Sequence, residues 1–292
     1  MEFIPLPIVL TVIFLFGVVF GSFANVVIYR LHTGRSLNNR SHCLSCGETL
    51  TWYELIPLLS YVLLRGRCRT CGSWIPFRYL AVELALGLVF VLTYLHTDSV
   101  VMFVLYASFM FALLVGAVYD LYHLIIPDEI VIGAVAAAVL ARGYEAVVTG
   151  SLEGFISGAL GAVAAFGFLG GLWLISRGRW IGFGDAKLAI PLAFVVGLWG
   201  TFSLIVLSFW VGAFVSVSVL AYQHLSVFIT HFVTYRRIKA SYATRDVAKT
   251  RRYFTMKSEI PFAPFLIVAF ALVFFFNIDV LTFSTYLLTL QF

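Results

Sequence analysis

Charged side chains are scarce in this sequence: Asp, Glu, Lys and Arg make up 11% of its 292 residues, against about 25% in soluble domains. Hydrophobic residues make up 62%, and the mean hydropathy is +1.01. A soluble or disordered chain of this length needs far more polar side chains, so both classes are excluded. Cysteine is scarce too, with four residues, which excludes a secreted disulfide scaffold. The composition predicts an all-α membrane protein, because backbone in lipid must satisfy its own hydrogen bonds.

Eight apolar stretches are long enough to cross a bilayer, which takes about 17–25 residues. They begin near Leu6, Arg78, Val100, Glu129, Leu152, Ala186, Phe202 and Pro264. No lysine or arginine precedes the first stretch, so we expect no cleaved signal peptide. The sequence therefore predicts a multi-pass protein with about eight transmembrane helices.

The basic residues indicate how these helices are oriented. With eight spans and the amino terminus outside, 18 of the 19 lysines and arginines face one side, and Arg142 is the exception. Cytoplasmic loops carry such an excess, so this side is predicted to be cytoplasmic. Topology then explains the net charge of +5, and we expect no nucleic-acid partner.

The four cysteines form one pattern, Cys43-x-x-Cys46 followed by Cys68-x-x-Cys71. Two such pairs supply the four thiolates of a tetrahedral zinc site, and their spacing is close to that of a zinc ribbon. On the predicted cytoplasmic side disulfides do not persist. The pattern predicts a small zinc-binding insertion whose metal is structural, because all four ligand positions are filled. A redox pair or four unrelated thiols are the alternatives.

Acidic residues in or near the apolar stretches are the candidates for chemistry, since they are costly in a membrane. Asp120 and Asp185 fall at cytoplasmic ends of their spans. Two carboxylates at similar depth on neighbouring helices can share a proton and activate a water molecule, as in aspartyl proteases. The alternative is that Asp185 caps a helix and Asp120 is an interfacial residue.

Three further acids have weaker claims. Asp128 and Glu129 follow Pro127 and are interpreted as N-cap and first-turn residues of a helix. Glu83 is predicted either to pair with Arg78 or to point into the bundle, as a supporting residue at most.

Four segments in order resemble one family, the bacterial type IV prepilin peptidases, which are GxGD intramembrane aspartyl proteases. They are GSFANVVIYRL at Gly21–Leu31, the cysteine segment through IPFRYLAVE, GFGDAKL around Asp185, and EIPFAPFL at Glu259–Leu266. The sequence departs from the family's usual motifs at a few turn positions: His32 and Leu44 stand where proline is common, and Ala263 stands where glycine is common.

The resemblance implies that Asp120 and Asp185 are the catalytic pair and that Cys43, Cys46, Cys68 and Cys71 bind zinc. Such enzymes sit in the bacterial inner membrane and cleave the leaders of type IV prepilins and type II secretion pseudopilins on the cytoplasmic side, after a glycine. Those with the zinc domain also methylate the new amino terminus with S-adenosylmethionine. The residues of the methyl-donor site are not identified by any motif. Ser22 and Asn25, near the inner end of the first span, are candidates for placing the cut amino terminus, with ordinary helix packing as the alternative.

The predicted organisation has five parts. They are a first transmembrane helix (1–30), a cytoplasmic Cys₄ zinc domain (31–77), transmembrane helices with the aspartyl protease core (78–233), a basic cytoplasmic loop (234–260) and a last transmembrane helix (261–292). Membrane lipids are expected partners of the basic loop. The competing hypotheses are a secondary transporter with intramembrane acids and a membrane-anchored zinc-binding interaction module.

Overall fold

The computed structural model describes residues 5–31, 36, 39–238 and 261–280, and between residues 223 and 238 it describes the backbone alone. The described chain is all-helical, as predicted, with no strand beyond two isolated bridges. Its helices are α1 (Leu6–Arg30), α2 (Leu59–Leu63), α3 (Arg78–His96), α4 (Val100–His123), α5 (Asp128–Thr149), α6 (Glu153–Ser176), α7 (Phe183–Ile238) and α8 (Ala263–Phe276). The predicted basic loop lies outside the described residues from position 239 onward, as does the end of the chain after position 280.

Six of the described helices are long and apolar enough to cross a membrane: α1, α3, α4, α5, α6 and α7. The apolar part of α7, Phe183–Tyr222, has 40 residues and a length of about 60 Å, twice the thickness of the bilayer core. Gly197 interrupts it with φ 77° and ψ 178°, a conformation that favours glycine. The two halves of α7 match two predicted spans, and the 14-residue α8 matches the last. The prediction of about eight spans is therefore close.

Consecutive long helices run in opposite directions, which brings distant parts of the sequence to one end of the bundle. The cysteine domain connects the last residue of α1 to the first residue of α3, and we name this side the cysteine end. The guanidinium of Arg78 at the start of α3 lies over the ring of Tyr122 in the last turn of α4, at 4.7 Å. The last turn of α4 and the first turns of α5 and α7 therefore all lie at the cysteine end.

The connection between α4 and α5 is short and tight. Leu124 adopts a left-handed conformation and donates its N–H to the carbonyl of Asp120, which ends α4. Pro127 then occupies the N-cap position of α5, so Asp128 is the first residue of the helix. The predicted N-cap role of Asp128 is wrong by one position, because Pro127 takes that place. The carboxylate of Asp128 instead forms an ion pair with Lys187 of α7.

Close packing of α6 against α7 depends on two glycines. A Cβ atom at Gly158 would lie 2.3 Å from the carbonyl oxygen of Phe194, and one at Gly161 would lie 2.6 Å from Oγ1 of Thr201. These two glycines therefore set the distance between the helices. At Gly167 a Cβ would meet nothing within 4 Å, so this glycine does not set the distance between the helices.

Gly158→Ala is expected to destabilise the protein by about 1–3 kcal/mol, because the added methyl group meets backbone rather than a movable side chain. Gly167→Ala, on the same helix, is the matched control and should be neutral or slightly stabilising. Thermal unfolding in one detergent measures both. Equal melting temperatures for the two variants would contradict this account of the α6–α7 contact.

Candidate active site and metal centre

Asp120 lies in the last turn of α4 and is buried, with 5% of its surface exposed. Its Oδ2 atom has no hydrogen-bond partner among the described residues. Buried polar atoms are nearly always hydrogen-bonded, so an oxygen without a partner marks a place for a proton, a water molecule or a substrate.

Asp185 lies in the first turn of α7 and is also buried, with 8% of its surface exposed. Its Oδ2 atom accepts a hydrogen bond from the backbone N–H of Gly182 at 3.2 Å, and its own N–H donates to the carbonyl of Gly182 at 3.2 Å. This is one half of a capping box, in which the side chain of the third helical residue accepts the N–H of the residue before the helix. Asp185 is thus the third residue of α7 and not its N-cap, although one of its oxygens does accept a backbone N–H at the helix start. This hydrogen bond alone does not require the burial of a second acid beside it.

The two carboxyl groups meet at the amino terminus of α8. They interact electrostatically with each other, and the backbone N–H of Ala263 faces both of them. Ala263 is the first residue of α8 and is fully buried. The first amides of a helix have no partner within that helix, and its dipole favours negative charge there. The start of α8 therefore stabilises the negative charge of the pair.

The glycines around Phe183 allow other parts of the chain to approach the pair closely. A Cβ atom at Gly184 would lie 3.3 Å from Cβ of Ile126, a buried residue of the α4–α5 connection. A Cβ atom at Gly182 would lie 3.2 Å from Oδ2 of Asp185. The GFGD segment thus packs tightly under the α4–α5 connection on one side and against its own aspartate on the other.

The four cysteines converge, as their spacing predicts. Their sulfur atoms all lie within 4.8 Å of one another, and the Cys43 and Cys71 sulfurs are 3.9 Å apart. A tetrahedral site with zinc–sulfur bonds of 2.3 Å places sulfurs about 3.8 Å apart. All four are free cysteines. Sequence spacing identified this cluster correctly, and its geometry suits a metal ion.

The two halves of this cluster are built alike. The N–H of Cys43 donates to the carbonyl of Glu48, and the N–H of Gly47 donates to the carbonyl of Cys43. The second half repeats this pattern: the N–H of Cys68 donates to the carbonyl of Ser73, and the N–H of Gly72 donates to the carbonyl of Cys68. Both glycines have positive φ, 76° and 69°, which each turn requires.

Backbone hydrogen bonds also favour the thiolate form in the first half of the cluster. The backbone N–H groups of Cys46 and Ser45 face the sulfur of Cys43 and lower the pKa of its thiol to about 6. Cys46 differs: a backbone hydrogen bond at Glu48 favours its thiolate, but desolvation and the neighbouring sulfurs of Cys43 and Cys71 outweigh it and raise the pKa of its thiol to about 11. Because the thiolate is the form that binds metal, Cys43 is the member of this half that is ready for a cation near neutral pH.

Glu83 does not pair with Arg78, contrary to one of its two predicted roles. Its Oε2 atom accepts the backbone N–H of Leu58 at 2.9 Å, and the hydroxyl of Ser22 is a second partner. Asn25 donates from Nδ2 to the carbonyl of Tyr79 at 3.1 Å. Glu83 therefore points into the bundle, where it connects α1, α3 and the cysteine domain.

Comparison with known proteins identifies the family. Residues 15–97 match the family model of the bacterial peptidase A24 N-terminal domain, and residues 107–217 match that of the type IV leader peptidase family. A Bacillus subtilis (strain 168) protein named prepilin leader peptidase/N-methyltransferase is 33% identical over 190 residues, or 65% of this chain and 74% of the relative. This chain belongs to the type IV leader peptidase family. A Klebsiella pneumoniae protein of the same name is 32% identical over 195 residues, or 63% of this chain and 84% of the relative.

A local match is closer in identity. A Myxococcus xanthus (strain DK1622) protein of the same name is 49% identical over 85 residues, which cover 29% of this chain and 25% of the relative. No solved structure matches the chain significantly. Membership of the type IV leader peptidase family, together with the apolar helices, makes the chain a multi-pass membrane protein. It also favours the peptidase hypothesis over the transporter and over the zinc-binding interaction module.

Proposed function

We propose that this member of the type IV leader peptidase family cleaves the leaders of type IV prepilins and type II secretion pseudopilins after a glycine, with Asp120 and Asp185 as the catalytic pair. We further propose that it N-methylates the new amino-terminal residue with S-adenosylmethionine. The site lies in the bacterial inner membrane, with the cysteine end facing the cytoplasm. The names of the relatives support both activities.

The single observation that carries the proteolytic proposal is the burial of two carboxyl groups around one backbone amide. Asp120 and Asp185 lie 65 positions apart in the sequence and on different helices, yet both face the N–H of Ala263. Two buried carboxyl groups that interact electrostatically can share one proton, which would give the site an acid and a base at the same time.

These groups suffice for peptide hydrolysis. The ionised carboxylate takes a proton from a water molecule as the water oxygen attacks the scissile carbonyl carbon, and the protonated carboxyl gives its proton to the carbonyl oxygen. The carboxyl group that took the proton of the water then gives it to the amide nitrogen, and the other carboxylate takes a hydroxyl proton back from the tetrahedral intermediate. The C–N bond breaks, which leaves a carboxyl group on the leader and a new amino terminus on the pilin. The orphan Oδ2 atom of Asp120 is suited to hold the water or the proton. The N–H of Ala263 keeps the pair oriented throughout.

The distribution of basic residues supports cleavage on the cytoplasmic side of the membrane. The predicted orientation places 18 of the 19 basic residues at the cysteine end, where both aspartates lie. A basic leader is retained on the cytoplasmic side by the same rule that retains these residues. An apolar segment that follows the leader would then enter the membrane beside the helices, with the scissile bond at the depth of the pair.

Zinc is proposed as the ion of the cysteine cluster, held by Cys43, Cys46, Cys68 and Cys71. With four thiolates as ligands the ion has no open position for a substrate, so its contribution is to hold the two turns together. The described cysteine domain is too small to build a core of its own, which is why a metal is expected to stabilise it.

Incubation of the purified protein in detergent with a prepilin tests the proteolytic half. We expect the substrate to lose its leader, as measured by intact mass. A transporter or an interaction module would leave the mass of the prepilin unchanged.

The two activities are expected to separate by mutation, because the methyl transfer does not need an acid and a base in the place where the peptide bond is cut. Asp185→Asn should still methylate a pilin supplied without its leader, whereas Cys68→Ser should lose methylation before cleavage. The mass of the pilin, which increases by one CH₂ unit for each methyl group added, measures both activities on a single sample. Loss of methylation in Asp185→Asn would show that the two reactions share one site.

A further inference from the structure

A cavity of about 220 Å³ lies between the cysteine domain and the ends of α1 and α3. All the residues that line it fall between positions 22 and 83, so α4 and α7, which carry the aspartates, contribute none. Among the lining residues are Ser22, Asn25, Tyr29, Tyr61, Trp74 and Glu83. The cavity is thus a site separate from the aspartate pair, at the same end of the bundle.

Glu83 gives this cavity a buried carboxylate that pairs with no cation among the described residues. Arg30 and Arg69 also line the cavity, but Arg30 donates to the backbone carbonyls of Ser36 and Arg40, and Arg69 donates to the hydroxyl of Tyr53. The residue is 8% exposed, and the partners of its carboxylate are neutral, the N–H of Leu58 and the hydroxyl of Ser22. Within the described residues no lysine, arginine or histidine lies at ion-pair distance from it. Burying a carboxylate in this way is costly, and a cationic ligand would supply the missing charge.

The second acid in the wall is already engaged. Glu54 accepts hydrogen bonds from both the backbone N–H and the hydroxyl of Thr51, at 2.8 and 2.6 Å, which form a capping box on the short helical turn Trp52–Leu55. These bonds lower the pKa of Glu54. Glu83 is therefore the acid that remains for a ligand.

Aromatic side chains complete a lining suited to an organic cation. Tyr29, Tyr61, Trp74 and Tyr79 all line the cavity. Aromatic faces attract positively charged groups, and most strongly where water is excluded. The guanidinium of Arg67 lies over the ring of Trp74, at 4.4 Å, so one face of this ring is already occupied by a cation of the protein itself. A buried carboxylate among aromatic rings favours a ligand with a compact, diffuse positive charge.

We propose that this cavity binds the methyl donor S-adenosylmethionine, with Glu83 facing its positively charged methionyl portion. The proposal rests on the methyltransferase half of the proposed function. The cavity is smaller than the pockets of about 300–1,000 Å³ that enclose whole drug-sized ligands, so it encloses this portion and not the entire donor. When bound, the donor supplies a methyl group: the amine lone pair forms the new C–N bond, the C–S pair returns to sulfur, and the amine releases a proton to water.

Direct binding tests this assignment without relying on methyl transfer. Equilibrium dialysis of the full-length protein in detergent with radiolabelled S-adenosylmethionine should give a dissociation constant that rises about tenfold or more in Glu83→Gln. Glu54→Gln is the matched control, since Thr51 holds that carboxylate, and it should bind as the wild type does. Gel filtration and zinc content establish that each variant is folded.

A second variant keeps the test decisive if Glu83→Gln does not fold. Ser60 lines the cavity from α2, and Ser60→Trp should fill it and abolish donor binding, whereas Ser60→Ala should not. Normal affinity in folded Glu83→Gln or in folded Ser60→Trp overturns the proposal.

Unchanged donor affinity in Glu83→Gln, together with poorer methylation of a cut pilin, would also overturn it. That result would assign Glu83 to the binding of the acceptor amine instead of the donor. A wild-type protein that cleaves prepilin but does not bind the donor refutes this proposal and leaves the peptidase standing.

Discussion

Asp120→Asn and Asp185→Asn are each expected to reduce prepilin cleavage by about 10³-fold or more, because each removes one of the two proton-transfer groups. The double variant should be hardly worse than either single variant, since two residues that act as a unit give non-additive losses. Rates measured by intact mass of the substrate over time separate these cases. Binding of an uncleaved prepilin should persist in both single variants.

Asp128→Asn is the matched control for these variants. Asp128 is an acid at the same end of the bundle, but its side chain is 68% exposed and pairs with Lys187. Exposed ion pairs contribute about 0–1 kcal/mol, so this variant should cleave at nearly the wild-type rate. Retained cleavage in Asp120→Asn or Asp185→Asn removes that residue from the catalytic pair.

Cys68→Ser is expected to abolish stoichiometric zinc binding, with metal content falling from about one ion per chain to nearly none. Cys68 is the buried member of the four cysteines, and serine cannot replace its thiolate. The loss should leave the cysteine domain sensitive to proteases while the membrane helices remain folded. Metal analysis of protein purified by gel filtration, combined with limited proteolysis, measures both effects.

Ser45→Ala is the control in the same turn, because Ser45 lies between two cysteines without being a ligand. This variant should retain its metal and its resistance to proteolysis. Metal-free wild-type protein with an intact, protease-resistant cysteine domain would refute the structural role of zinc.

Local sequence patterns were enough for much of this account. Apolar runs predict the membrane helices because a span needs a fixed number of apolar residues, whatever its neighbours are. The spacing of Cys43, Cys46, Cys68 and Cys71 predicts the cluster because each pair lies on one turn. Asp120 and Asp185 are conspicuous because acids are rare in apolar stretches.

Features that depend on tertiary contacts were not predictable in this way. The N–H of Ala263 is a backbone group that nearly every residue has, so no sequence pattern marks its position between the two carboxyl groups. The sequence suggested Arg78 as a partner for Glu83 because the two residues are about one helical turn apart. In the fold, the backbone N–H of Leu58 donates to the carboxylate of Glu83 instead. Likewise the ion pair between Asp128 and Lys187 joins residues 59 positions apart.

In the proposed mechanism, one buried aspartate pair cuts a prepilin at a defined bond on the cytoplasmic side. The most direct measurement is the mass of a prepilin after incubation with the purified wild-type protein, compared with the same substrate after incubation with Asp185→Asn. We predict a single product that begins immediately after the glycine of the leader with the wild type, and an intact substrate with the variant. An intact prepilin in both samples, or the same product in both, would contradict the account.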